Sequence, residues 1–241
     1  MTTPDHARIV ILTGAGISKE SGLSTFRDPD GIWSEVRVED VATPEAFARN
    51  PHRVHDFYNR RRQLMRQQTV EPNAAHLALA HLENRWPSEV LVVTQNVDAL
   101  HERAGTKNLI HMHGEHAKIR CQQCEAVYPW VDDLSVDIPC RECGETGGLR
   151  PNVVWFGETP MQMDRIVSAL QECQMFVSIG TSGHVYPAAG FVRRVAQSTE
   201  ATTVELNLEP SEGASLFTEA RYGPATEIVP AFVEDLMSGV A

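Results

Sequence analysis

The run Ile9-Val10-Ile11-Leu12-Thr13-Gly14-Ala15-Gly16-Ile17-Ser18 decides the architecture. Consecutive branched apolar residues without polar alternation suit a strand of a parallel sheet covered on both faces. The glycines that follow let the backbone approach a phosphate, and amides opening the next helix would receive its charge. Lys19 stands where GxGxxG has its third glycine, so the motif is a dinucleotide signature in outline, with a plain tight turn as the competing reading. Similar apolar runs recur at Val90-Leu91-Val92-Val93, Met175-Phe176-Val177-Ser178-Ile179 and Thr203-Val204-Glu205-Leu206. Helical patterns lie between them. Asn73 caps one through Trp86, Val97 to Ala104 reads as another stopped by Gly105, and Met161 to Cys173 reads as a third. Strand and helix alternate, which predicts an open α/β sheet.

Two stretches interrupt that alternation. Thr43-Pro44 and Asn50-Pro51 each put a cap residue before a proline at the first helical position, predicting two consecutive helices over 44–68. Residues 116–150 hold four of the five cysteines, lack helical periodicity and read as an inserted module. Within it Cys121-x2-Cys124, fifteen residues, then Cys140-x2-Cys143-Gly144 make two knuckles that turn four thiolates toward one centre. Four sulfurs with no open position suit a structural, non-catalytic zinc. Cys173, alone in an apolar context, reads as a small core residue.

The chain has 241 residues, 42% hydrophobic and 22% charged, a globular composition. Its net charge of −11 opposes binding to nucleic acid or to an anionic membrane surface. The apolar run near the start is four residues, Ile9 to Leu12, with Asp5 before it; neither a secretory segment nor an 18-residue span is expected. A soluble, cytoplasmic protein with reduced cysteines is the expectation.

Further polar groups follow the second apolar run, in Thr94-Gln95-Asn96-Val97-Asp98. Beyond the carboxyl end of a strand is where open α/β sheets bind ligands, although Asn96 could instead cap a helix. His111-Met112-His113-Gly114 follows another apolar stretch, and a period of two predicts both histidines on one strand face. A histidine near neutral pKa is a natural general base.

Taken with Gly180-Thr181-Ser182 and Asn207-Leu208-Glu209-Pro210, these motifs occur in the order seen in sirtuins, and the whole chain resembles that family, in particular its bacterial branch of CobB-type lysine deacylases. The resemblance implies a Rossmann-like NAD-binding domain (residues 1–35, 70–115 and 151–241). It also implies a small domain made of a helical module (36–69) and a zinc ribbon (116–150), with acyl-lysine protein or peptide bound between the two. It implies that Gly14, Ala15, Gly16, Phe26 and Arg27 belong to the NAD loop, and that Gln95, Asn96 and Asp98 hold the nicotinamide end. Gly180, Thr181, Ser182 and Asn207 would line the adenosine side, with Ala225 near the adenine. His113 would be the catalytic base. NAD would be consumed as a co-substrate: the acyl oxygen attacks the ribose carbon as nicotinamide leaves, and the products are free lysine and O-acyl-ADP-ribose.

The segment 51–68 carries Arg53, Arg60, Arg61, Arg62 and Arg66 in an otherwise acidic protein. A solvated helix face accounts for Arg53, Arg60 and Arg66. Tyr58 and Arg61, at i and i+3, share a helix face where a phenol and a guanidinium could bind a carboxylate. The pair resembles that of sirtuins removing succinyl and malonyl groups, beside acetyl. Pro151-Asn152-Val153-Val154-Trp155-Phe156-Gly157-Glu158 matches the family's acyl-lysine tunnel, with Val154 and Phe156 around the aliphatic stem and backbone near Gly183-His184-Val185 available to an extended peptide. A hydride-transfer enzyme would also use NAD and histidine but accounts for neither the thiolates nor Tyr58 and Arg61. A non-catalytic NAD-binding regulator is the other alternative.

Overall fold

A computed structural model describes residues 6–23, 36–67 and 69–239. Its strands, in chain order, are β1 (Ile9–Thr13), β2 (Val90–Thr94), β3 (Leu109–His111), β4 (Gly114–Cys121), β5 (Val127–Pro129), β6 (Leu149–Val153), β7 (Met175–Ile179), β8 (Thr202–Asn207) and β9 (Glu219–Tyr222). The helices are α1 (Val38–Val41), α2 (Pro44–Arg49), α3 (Pro51–Met65), α4 (Ala74–Arg85), α5 (Leu100–Ala104), α6 (Met163–Glu172), α7 (Phe191–Ser198) and α8 (Ala225–Ser238).

Six strands form one parallel sheet in the order β3-β2-β1-β7-β8-β9. This Rossmann-like order reverses direction at β1 and β7, and open sheets bind ligands outside the carboxyl ends at such a switch. β1, β2 and β7 are buried at every residue, which is why their sequences show no polar alternation. Ile9, Ile11 and Val177 pack with Leu79 and Leu82 of α4 and with Phe232 and Val233 of α8. On the opposite face Val10, Leu12 and Phe176 pack with Ile166 and Leu170 of α6 and with Val195 of α7.

A second, antiparallel sheet, β5-β4-β6, carries its own small core of Ile119, Leu134 and Leu149 around Cys121 and Cys140. The helical segment packs as a separate cluster, in which Val41, Phe47, Val54 and Tyr58 meet Val153 and Trp155. Its helices begin where the prolines predict. Thr43 Oγ1 accepts from Ala46 N (3.0 Å) and Asn50 Oδ1 from Arg53 N (3.1 Å), and the chain leaves the helix at Met65.

Other boundaries shift. The helix expected from Val97 starts at Leu100, because the Asp98 carboxylate accepts the Leu100 amide (3.0 Å) and holds the preceding residues in a turn. The helix expected from Met161 runs from Met163 to Glu172, with Cys173 buried just after it. The helix expected after β1 is a short 3-10 helix, Ala15–Ser21. β3 is the short strand expected before the histidines, only three residues long, and β9, a mostly exposed Glu-Ala-Arg-Tyr edge, carries no clear strand signal.

Candidate active site

The ends of β1 and β7 touch backbone to backbone. Gly14 N donates to Ile179 O and Gly16 N to Gly180 O, both at 2.9 Å. A Cβ on Gly14 or Gly16 would lie 2.7 Å from Gly180 backbone atoms, and one on Gly180, at φ +60°, would lie 2.5 Å from Ile17 N. The packing of one loop on the other therefore requires all three glycines, whatever they also offer a phosphate. Across this junction Asn207 Nδ2 donates to Thr181 O (2.8 Å), and the Thr181 hydroxyl meets that of Ser178 (3.1 Å). Ser182 is half-buried beside them, and Ala225, also half-buried, opens α8 just past β9. Phe26 and Arg27 lie outside the described residues.

The end of β2 adds a buried polar chain. Asn96 Nδ2 donates to Gly14 O and Ser18 Oγ, each at 3.1 Å, and Ser18 Oγ donates to Asp98 Oδ2 (3.1 Å). Asn96 thus ties the segment after β2 to the glycine loop and is no helix cap. Burial pushes the Asp98 carboxyl above its ordinary pKa, against the pull of the Leu100 amide and the Ser18 hydroxyl. Behind it the Thr13 hydroxyl donates to that of Thr94 (2.8 Å) and meets His101 Nε2 (3.0 Å), while Thr94 Oγ1 accepts from Asn96 N (3.0 Å). The loop's backbone is thereby fixed on both sides.

The two histidines do not share a strand face. β3 ends at His111, and His113 lies in the turn before β4, so the period of two does not extend across them. His111 contacts Glu102 (Nε2 to Oε1, 2.7 Å) and Asn96 O (Nδ1, 3.1 Å). Burial opposes its charge, but Glu102, the Asn96 carbonyl and Glu115 together outweigh burial and raise its pKa. His113 Nδ1 lies 3.1 Å from Gln95 O. A carbonyl only accepts, so this bond puts the proton on Nδ1 and leaves the lone pair on Nε2. Burial depresses the His113 pKa, partly offset by that carbonyl, and keeps the ring neutral. A neutral imidazole with a fixed tautomer is equipped to take a proton at Nε2.

Next to His113 the chain continues from β6 toward the helical cluster. Val154 N donates to His113 O (2.9 Å) and Phe156 N to Ala42 O (3.0 Å), so residues 154–156 bridge the two parts. Val154 is half-buried and Phe156 is 52% exposed, while Trp155 between them is buried. Trp155 Nε1 donates to Tyr58 Oη (2.9 Å). That bond uses an acceptor site on the phenol and leaves the Tyr58 proton to be given elsewhere. Burial pushes the Tyr58 pKa up to about 12, so the phenol stays a neutral donor. Trp155 is itself held by Glu158, which accepts its backbone N–H (2.7 Å) and pairs with buried Arg150, whose guanidinium lies 3.2 Å from the Trp155 ring centre.

Arg61, one turn along from Tyr58, is half-buried in the structure, and burial lowers its pKa to about 10, with Tyr58 partly opposing. Its Nε donates to His116 Nε2 at 3.3 Å. Arg62 is buried and clamps the helix to its neighbours, donating to His116 O, Asn59 Oδ1 and Asp132 O. Arg53 and Arg66 form exposed pairs with Asp40 and Asp132, as a solvated face requires. Sequence reasoning gave no role to Trp155, although it lies in the 151–158 segment, and did not single out His116. The first lies between two assigned tunnel residues and so faces the opposite way; the second carries no local signal.

The four cysteines converge. Cys121 Sγ lies 3.8 Å from Cys143 Sγ and Cys124 Sγ 3.7 Å from Cys140 Sγ, and all four sulfurs lie within 4.8 Å of one another. A tetrahedron of Zn–S bonds near 2.3 Å has edges of about 3.8 Å, so spacing and donor chemistry fit one structural zinc. A disulfide would need sulfurs about 2 Å apart, and all five cysteines are free.

Comparison with known proteins agrees with this geometry. The model of the Sir2 family matches residues 14–187. An NAD-dependent protein deacylase of Salmonella typhimurium is 56% identical over 236 residues, covering 98% of this chain and 86% of the relative. A solved Sir2 homologue in complex with NAD superposes with a TM-score of 0.87 at 34% identity, covering 98% of this chain and 92% of the other. A Sir2 variant solved with a deacetylated p53 peptide and 3′-O-acetyl-ADP-ribose gives a TM-score of 0.81 at 30% identity, covering 97% and 94%.

Proposed function

We propose, from the premise that this chain belongs to the Sir2 family and is an NAD-dependent protein deacylase, that it removes succinyl and malonyl as well as acetyl groups from lysine. The observation that carries this reading is the pairing of Tyr58 and Arg61. A phenol whose oxygen is occupied by Trp155 and a largely desolvated guanidinium lie one turn apart on α3, beside the segment that leads to His113. Charge-assisted donors of this kind bind a carboxylate strongly, and an acyl group that buries one unpaired would incur a penalty of several kcal/mol.

In this reading NAD lies across the switch point, over Gly14, Ala15 and Gly16 on one side and Gly180, Thr181, Ser182, Asn207 and Ala225 on the other. Gln95, Asn96 and Asp98 hold the nicotinamide end, and Phe26 and Arg27 belong to the covering loop. Bound there, NAD supplies a ribose carbon that accepts the acyl oxygen as nicotinamide departs. His113 Nε2 takes the proton of a ribose hydroxyl, which then attacks the former acyl carbon; one water hydrolyses the adduct, breaking the bond from that carbon to the lysine nitrogen, and the products are nicotinamide, free lysine and O-acyl-ADP-ribose. Val154 and Phe156 enclose the lysine stem, and backbone near Gly183-His184-Val185 pairs with the extended peptide. The NAD-binding part comprises residues 1–35, 70–115 and 151–241, and the helical module 36–69 with the ribbon 116–150 forms the other wall. Among the described residues no helix is long and apolar enough to cross a membrane, and five cysteines outside any disulfide suit a reducing compartment such as the cytoplasm.

The test is mass spectrometry of one peptide carrying acetyl, malonyl or succinyl lysine, incubated with NAD and the wild-type protein. The expected result is nicotinamide and the matching O-acyl-ADP-ribose from all three, with kcat/KM for succinyl-lysine no more than about tenfold below that for acetyl-lysine. Turnover of the acetyl peptide alone would overturn the reading.

A further inference from the structure

We propose that His116 is the positioning residue that aims the Arg61 guanidinium at the acyl carboxylate, and so sets the preference for acidic acyl groups. This rests on the assignment of Tyr58 and Arg61 above and adds a residue to it.

His116 lies at an irregularity in β4. Glu115 pairs with Asn152 of β6, but the next paired residue on β4 is Ile119, opposite Pro151, so residues 116–118 bulge out of the ladder. Bulges beside active sites re-aim side chains. Freed from β6, the His116 backbone finds other partners: its N–H donates to Val97 O (2.9 Å), within the Gln95–Asp98 segment, and its carbonyl accepts from Arg62 Nε (3.2 Å). The residue thereby joins the nicotinamide-end segment to α3 through its main chain.

That anchoring leaves the side chain for another task. The ring is buried against Tyr58, with centroids 5.4 Å apart, and Nε2 receives the Arg61 Nε–H. Accepting there requires a lone pair on Nε2 and the proton on Nδ1. Burial and the charges of Arg61 and Arg62 hold the ring neutral, so the acceptor persists across the physiological range. An arginine whose Nε is engaged has the orientation of its planar fork restricted, and here the guanidinium also lies 5.5 Å from the Phe57 ring centre. A symmetry emerges between the two donors: Trp155 fixes the phenol and His116 fixes the guanidinium.

The test compares His116→Leu, which removes the acceptor, with His116→Gln, which returns an amide oxygen near the place of Nε2, and with Arg61→Met as reference. The quantity read is the ratio of kcat/KM for succinyl-lysine to that for acetyl-lysine, with thermal melting as the check on folding. His116→Leu is expected to lower the ratio about tenfold, through a higher KM for the succinyl peptide, and His116→Gln to restore it to within about threefold of wild type. A His116→Leu ratio like wild type, beside an Arg61→Met ratio that collapses, would overturn the role of His116 and leave that of Arg61 standing. A ratio unmoved by Arg61→Met would overturn both. Should His116→Leu fail to fold, the folded His116→Gln decides: a ratio like that of Arg61→Met would also overturn the proposal.

Discussion

The wall proposed to receive NAD and the corner proposed to receive the acyl group are built by different means. At the ends of β1, β2 and β7 the polar groups are fixed largely by backbone: glycines in van der Waals contact with other backbone, Asn96 on the Gly14 carbonyl, His113 on the Gln95 carbonyl. At the corner the chemistry depends on side chain against side chain, with Trp155 on Tyr58 and His116 on Arg61, drawn from α3, β4 and the segment after β6. A site anchored to main chain holds its geometry when neighbouring side chains change. One anchored to side chains can be retuned by a single substitution. On the proposed reading, the division suits constant chemistry with an adjustable acyl preference.

The largest effect should separate the two regions outright. Cys140→Ala removes one of four thiolates, and because the binding energy of a structural zinc is folding energy, the ribbon and β4 should loosen with it. Elemental analysis should show zinc lost, and hydrogen exchange should accelerate through 114–153 while β1, β2 and β7 stay protected. A metal-free wild-type protein, or uniform loss of protection, would mean that the sheets do not depend on separate devices.

His113 stands where the regions meet. His113→Ala should reduce turnover of acetyl and succinyl peptides alike by about a hundredfold or more, the scale of a missing general base, with melting little changed. A selective loss on one acyl group would move His113 from the common chemistry to the adjustable corner.

Acid should weaken both regions together. His76 and His101 lie behind the NAD wall and His55 and His116 beneath the corner, all with burial-depressed pKa values, His76 to about 4. In the unfolded chain these groups titrate near 6.5, so below that pH the unfolded state binds more protons and stability falls as pH falls. Each group contributes a slope of up to about 1.4 kcal/mol per pH unit, and His111, with a raised pKa, opposes them. Urea midpoints should therefore drop between pH 7 and pH 5; a flat or rising midpoint would contradict the neutral-histidine assignment.

The smallest effect belongs to Trp155→Phe, which keeps the ring and deletes the donor to Tyr58. The succinyl-to-acetyl ratio should fall by about 1 kcal/mol, the worth of one neutral hydrogen bond. An unchanged ratio would show that the phenol orients itself.

The same division governs what is legible in the sequence. Apolar runs give the buried strands, proline after a cap residue gives α2 and α3, and knuckle spacing gives the sulfur cluster, because each rests on local geometry. The motifs at the strand ends are legible for a related reason: a glycine needed for close approach, or an Asn and a His near a strand end, leaves a short local mark. The corner leaves little. Tyr58 and Arg61 show as a helix-face pair, but nothing near Arg62 says that it is buried while Arg61 is half-buried on the His116 ring, since that follows from contacts with residues 116 and 132. His111 and His113 mislead for the complementary reason: their spacing suggests one strand face, and only the strand's end at His111 separates the ion-paired ring from the proposed base.

The central claim is that a guanidinium on α3 selects acidic acyl groups, and Arg61→Met addresses it most directly by keeping an unbranched stem and deleting the charge. The measurement is the ratio of kcat/KM on succinyl and acetyl peptides, wild type against variant. The expected result is a fall in that ratio worth about 2 to 4 kcal/mol, the cost of leaving a buried carboxylate without its charged partner. Equal losses on both peptides would contradict it and return Tyr58 and Arg61 to a role in holding the helix in place.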